Sequence, residues 1–134
     1  MTPSLIGTLL LGGLAAVEST PVAQTMASQP LITATLLGVI WGDWATAITV
    51  GTVLQILAAS TLPIGARSPE DYAVGGVAGT GAALLIASQA PFEHVRQAAA
   101  LVGVLIGLTA ATLGDPLVRW QRRRNEGLDR KSVV

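Results

Sequence analysis

Two long uncharged stretches separated by one acidic residue leave this chain very few folds to choose from. Ser19 to Gly42 runs 24 residues without Lys, Arg, Asp or Glu; Asp43 follows, and Trp44 to Ala66 runs another 23. A helix on the surface of a soluble protein carries a charged face, whereas about 20 consecutive apolar residues are what a helix needs to cross a ~30 Å hydrocarbon core. A carboxylate at that depth costs roughly 2.5–3.5 kcal/mol on insertion scales unless it reaches a polar cavity or the interface. Asp43 therefore marks either a turn at the membrane surface or part of a polar pathway.

Composition takes the same side. Charged residues make up 12% of the 134, against about 25% in soluble domains. Bulk comes from aliphatic residues and 15 glycines, a palette suited to close helix packing in lipid. The fold class read from this is an all-α integral membrane protein. Six of the eight bases (Arg119, Arg122, Arg123, Arg124, Arg130 and Lys131) fall in the last 16 residues. Beside a hydrophobic segment such a cluster reads as cytoplasmic by the positive-inside rule, in preference to a nucleic-acid patch. The chain divides accordingly into a membrane part, 1–118, and a basic tail, 119–134. There is no cysteine, so no disulfide or thiolate–metal site is available. Met1 to Val17 lacks the basic start of a signal peptide and reads as a retained membrane segment.

Five apolar blocks follow one another: Met1–Val17, Leu31–Gly42, Trp44–Leu62, Tyr72–Ser88 and Ala98–Leu113. The last could extend through Trp120, with Asp115-Pro116 as a kink or an early end. Between the first two, Glu18 to Pro30 is rich in hydroxyls, amides and proline. It fits a re-entrant or broken helix, since irregular backbone at membrane depth needs cover from protein or a watery cavity; an interfacial loop is the alternative. Trp41, Trp44 and Trp120 lie at block boundaries, as interfacial indoles do, and this weighs toward Asp43 lying near a surface. Small-xxx-small pairs recur at Gly38/Gly42, Gly75/Gly79 and Gly103/Gly107, which suits a packed bundle.

Polar side chains inside the blocks are few. Gln55 stands well inside the block from Trp44 to Leu62 and either bonds a neighbouring helix or lines a site for a polar solute. Ile48, Thr52, Gln55 and Ala59 share one helix face, giving a narrow amide-and-hydroxyl strip. Neutral groups of that kind suit an uncharged polyol or sugar better than an ion. Gln24 is a second amide of the same sort. His94, the sole histidine, lies in a charged loop and reads as solvated. No nucleophile–base set and no metal-ligand spacing appears, so neither catalysis nor a cofactor is expected of this chain.

From Gln24 to about Asp71 the residues resemble the IIC component of mannose/sorbose-family sugar phosphotransferase systems. The elements that carry this are Gln24-Thr25-Met26, Gln29-Pro30-Leu31-Ile32, Leu37-Gly38, Gly42-Asp43, Gly51-x-x-Leu54-Gln55, Leu62-Pro63-Ile64-Gly65-Ala66 and the acidic position at Pro69-Glu70. The resemblance implies a multi-pass sugar channel of the bacterial inner membrane, with its basic tail cytoplasmic and built from inverted repeats with re-entrant hairpins. It also implies a IID membrane partner and cytoplasmic IIA and IIB subunits that carry the phosphate on histidines of their own. Gln55 falls where the family pattern has Glu, which removes a charge and keeps hydrogen bonding. Gln24, Gln55, Thr52, Asp43 and Glu70 are the expected substrate-binding residues, with Asp43 ranked behind the two amides as a turn residue. What matches is the N-terminal half of a family member. A truncated product, a split transporter with its second half elsewhere, or a half-size unit that dimerises would each account for that, the first two being favoured. A scaffold that binds a IID-like partner without transporting is the competing reading.

Overall fold

A helical hairpin needs a stop, a reversal and a restart, and Trp41 to Trp44 supplies all three. The computed structural model describes residues 2–18, 28–60, 71–89 and 93–132. Among them α2 (Pro30–Trp41) ends at Gly42, whose φ of 74° is left-handed and whose N–H returns to the Val39 carbonyl at 3.3 Å. A glycine holds that conformation without the Cβ clash other residues meet. Asp43 then opens α3 (Trp44–Ser60) by accepting from the Thr46 N–H at 3.3 Å and the Thr46 hydroxyl at 2.8 Å. The turn reading of Asp43 holds.

The two arms pack through small residues. A methyl group on Gly38 would sit 2.8 Å from the Trp44 Cα and the Ala47 Cβ, and one on Gly51 would collide with Ala34. A second hairpin follows, α4 (Tyr72–Gln89) and α5 (Glu93–Ser132). Here Gly75 and Gly79 face Gly107 and Gly103: a methyl on Gly79 would lie 2.5 Å from the Gly103 carbonyl oxygen, and one on Gly75 2.6 Å from that of Gly107. Two of the small-xxx-small pairs thus face each other across one antiparallel interface. Asp71 ties the hairpin's open end, donating its N–H to the Ala111 carbonyl at 3.1 Å and accepting from the Val74 N–H at 3.2 Å.

The hairpins lie side by side. Asp43 meets Arg96, Gly103 faces Val50 and Gly107 faces Leu54, so α3 runs parallel to α5. Pro30 lies on Gly76 and Leu37 clusters with Leu84, so α2 runs parallel to α4. The first helix, α1 (Thr2–Glu18), runs against both: Gly7 rests on Ile40, Gly12 on Val77, and the Trp41 indole N–H donates to the Thr8 hydroxyl at 2.9 Å. One end of the bundle therefore collects the Asp43 turn, the start of α5 and the start of α1. The other collects the starts of α2 and α4, the end of α3 and Gly114.

Residue size is distributed inside out. Alanine dominates the buried set (Ala34, Ala47, Ala83, Ala99, Ala111), joined by Leu37, Val50, Leu54 and Leu84, while Leu9 is 76% exposed and Val39 72%. Water would not tolerate such an exterior, and lipid accepts it; small residues inside let the backbones approach. Tyr72–Gln89 and His94–Gly114 are long and apolar enough to span, at 18 and 21 residues, the second about 31 Å. This is an all-α membrane protein.

The fifth block does not stop at Asp115-Pro116, because α5 continues to Ser132 with Pro116 inside it. Proline deletes one backbone N–H, but the residues after it are mostly Arg, Gln, Leu and Glu, which favour helix. The re-entrant reading of Glu18 to Pro30 lies mostly outside the described residues. Within reach are Gln29, in extended conformation at φ −72° and ψ 133°, and Pro30 at the first helical position.

Candidate functional site

The first turn of α2 shows why an amide stands at position 55. Four N–H groups at a helix start have no partner within the helix. Pro30 has none to offer, and those of Ile32 and Thr33 both donate to the Gln29 carbonyl at 3.0 Å. The remaining one, on Leu31, donates to the Gln55 side-chain oxygen at 3.4 Å. Gln55 thus bonds a neighbouring helix, and it does so at an end where the backbone is short of acceptors. Thr33 adds its hydroxyl to the Gln29 and Pro30 carbonyls at 3.2 and 3.1 Å, fastening the same turn.

Thr52 lies one turn before Gln55 and is exposed, as is Ala59, while Ile48 and Gln55 are half-buried. The buried face of α3 is Ala47, Val50, Gly51 and Leu54. Thr52 and Gln55 thus stand one turn apart as an amide-and-hydroxyl strip outside the buried face of α3. A hydroxyl and an amide one turn apart can engage adjacent hydroxyls of a polyol.

Asp43 is not part of that strip. It stands 12 residues away along α3, roughly 18 Å at 1.5 Å per residue. Its carboxylate is committed to capping α3 and to Arg96, whose Nε lies 3.6 Å away, with side-chain exposures of 43% for Arg96 and 19% for Asp43. The expected set thus falls at two separate places, with Gln55 and Thr52 together and Asp43 at the far end of the helix. Gln24 and Glu70 lie outside the described residues.

Sequence reasoning missed Arg96 and Asp71. Arg96 is one of only two bases before the C-terminal cluster, the other being Arg67, and a lone base at a helix start facing a lone acid between two spans was the available signal. Asp71 passed for an ordinary loop residue. Its place before Tyr72, with the backbone of α5 beside it, carries no sequence signature beyond its type as an N-cap. His94 is exposed at the start of α5. Among the described residues, no cluster of His, Asp or Glu could hold a metal ion. Thr80, fully buried on α4, has a hydroxyl with no hydrogen-bond partner.

A hairpin of two short apolar helices and a lipid-compatible exterior describe a membrane component. The family model described as the PTS system sorbose-specific IIC component matches residues 4–121. The chain belongs to that family. No curated protein matches it, and no solved structure does.

For a member of this family the geometry falls into place. Such components are membrane subunits of the sugar phosphotransferase system, so the exposed leucines and valines meet lipid or other membrane subunits. The match extends well beyond Asp71 and takes in α4 and the whole apolar span of α5, which general character alone connected to the family in sequence. The elements quoted from Gln29 to Gln55 turn out to be the α2–α3 hairpin itself. Pro30 starts it, Gly42-Asp43 reverses it, and Gln55 closes it back onto Leu31.

Proposed function

We propose that this chain forms part of the sugar-translocating path of a mannose/sorbose-type phosphotransferase, with Gln55 and Thr52 as the groups that meet the sugar. The supporting observation is the open polar strip beside the first turn of α2, in a helix otherwise made of apolar and small residues. The Gln55 amide has two N–H donors in addition to the oxygen that caps Leu31, and the Thr52 hydroxyl both donates and accepts. A sugar hydroxyl is complementary to that set. Transport would depend on a IID membrane partner, and on IIA and IIB subunits that deliver phosphate. No step of phosphoryl transfer is assigned to this chain.

The orientation belongs to the same reading. Seven of the eight bases lie in segments joined to the end of the bundle that holds Asp71 and Gly114, and the eighth, Arg96, is paired with Asp43 at the other. The positive-inside rule puts the first end in the cytoplasm of a bacterial cell, with the Asp43 turn outside.

One observation favours a second reading, that of a non-transporting scaffold: the Gln55 oxygen already has a partner within the fold. Expressing Gln55→Leu with IIA, IIB and IID partners separates the two. The transport reading expects sugar uptake and phosphorylation to fall at least tenfold, about 1.4 kcal/mol, while co-purification with IID persists. Unchanged uptake with intact assembly would establish the scaffold.

A further inference from the structure

The end of α5 is the largest feature that the sugar path leaves unused. The apolar span closes at Gly114, yet the helix runs on to Ser132 without a break. Its backbone therefore carries the basic cluster out of the bilayer as one continuous helix with Pro116 inside it. At 1.5 Å per residue Arg119 and Trp120 stand about 8–9 Å beyond Gly114, and Arg122 to Arg124 about 12–15 Å. The polar layer on each side of a bilayer is roughly 5–8 Å thick, so the first pair stands at its outer edge. The three arginines that follow lie within a Debye length of it, about 8 Å at physiological ionic strength.

Direction matters as much as distance. Side chains on a helix tilt toward its N-terminus, and the N-terminal side of this extension is the membrane. Arg124 shows the consequence: its guanidinium lies back over the exposed Trp120 ring, 5.4 Å from the centroid. An indole at the interface with a cation stacked over it presents an apolar plate and a positive charge together, the pairing that headgroups of anionic lipid accept. From Arg119 to Lys131 the sequence carries six bases and two acids, Glu126 and Asp129.

We propose that the α5 extension is an anionic-lipid docking surface, in which Trp120 and Arg119 to Arg124 hold acidic headgroups of the leaflet from which the helix emerges. The occupant is lipid phosphate because the cluster begins at the membrane surface on a helix continuous with the span. A soluble acidic partner would not require the cluster to start there. The proposal depends on α5 crossing the bilayer, and on neither the sugar path nor the partner subunits.

The absence of native cysteine makes a single reporter simple to place. The full chain carrying Gln121→Cys, labelled with a fluorophore and reconstituted into nanodiscs, is compared with brominated phosphatidylglycerol and brominated phosphatidylcholine as quenchers. Quenching by the anionic lipid is expected to exceed that by the neutral one about threefold or more, and the difference to vanish near 1 M salt, where the Debye length is about 3 Å. Replacing Arg119, Arg122, Arg123 and Arg124 by Gln should abolish the preference, and replacing all four by Lys should retain it. Equal quenching by both lipids overturns the proposal, as does a preference that survives neutralisation. A tail that changes its quenching only when soluble phosphotransferase subunits are added overturns it too, and would assign the surface to a protein.

Discussion

Asp43 performs two tasks that substitution can separate. As N-cap it satisfies the Thr46 N–H, and as a carboxylate it attracts Arg96. Asn caps a helix as well as Asp does, so Asp43→Asn removes only the charge. Because the Arg96 side chain is 43% exposed and its Nε is 3.6 Å away, that loss should stay at about 1 kcal/mol. Asp43→Ala also loses the cap and should cost about 1 kcal/mol more. Thermal unfolding of the purified chain and both variants in mild detergent checks the order. Equal losses for the two would mean that the cap contributes nothing. Gln55 poses a similar question on the same helix. Gln55→Ala removes the acceptor of the Leu31 N–H, an exposed bond whose loss should cost about 0.5–1.5 kcal/mol. Gln55→Glu keeps the acceptor and adds a negative charge beside a helix N-terminus, so it should be no less stable than the wild type. The legible part at this scale was residue type: an amide inside an apolar block is conspicuous. Its partner was not legible, because a backbone N–H left over by Pro30 has no letter in the sequence.

Glycine patterns carry the information at the level of elements, and they carry it unevenly. Gly75/Gly79 and Gly103/Gly107 behave as their spacing suggests, since the two pairs line the α4–α5 contact. Gly38/Gly42 has the same spacing and does not form such a pair. Gly38 packs on the Trp44 backbone and Ala47, whereas Gly42 has open space around it and a left-handed φ. Spacing records which residues share a helix face, and it is silent on whether the helix has already ended. Substitutions should resolve the two cases. In Gly79→Ala the new methyl meets backbone at 2.5 and 2.9 Å, which cannot rotate away, so α4 and α5 must separate at a cost of about 1–3 kcal/mol. Gly13→Ala meets nothing within 4 Å and should stabilise α1 by about 0.5–1 kcal/mol. Unfolding midpoints that move in the same direction for both would contradict this packing. The length of α5 was the least legible element, because a Pro inside a helix and a Pro ending one look alike until the backbone is seen.

At the scale of the whole molecule, fold class was almost fully legible and the assembly of the site was not. Uncharged runs, glycine content and the clustered bases all report on the solvent the chain meets, and that solvent is a property of composition. Which helix lies beside which depends on pairings such as Asp43 with Arg96 and Leu54 with Gly107, distant in sequence and of ordinary type. Those pairings nevertheless fix a topology that can be tested. With α3 parallel to α5 and both antiparallel to their hairpin partners, His94 and the α2–α3 turn share one end of the bundle, and the α5 extension leaves from the other. On the orientation proposed above, cysteine introduced at His94, an exposed position, should react in intact cells with a membrane-impermeant maleimide. Cysteine introduced at Asn125 should react only after the membrane is opened. Both reacting from outside would place the two ends of the span on one side, and the bundle described by the Gly79–Gly103 and Val50–Gly103 contacts could not then cross the bilayer. Reaction at Asn125 alone would keep the bundle and invert it, against the orientation proposed from the clustering of six bases after Gly114.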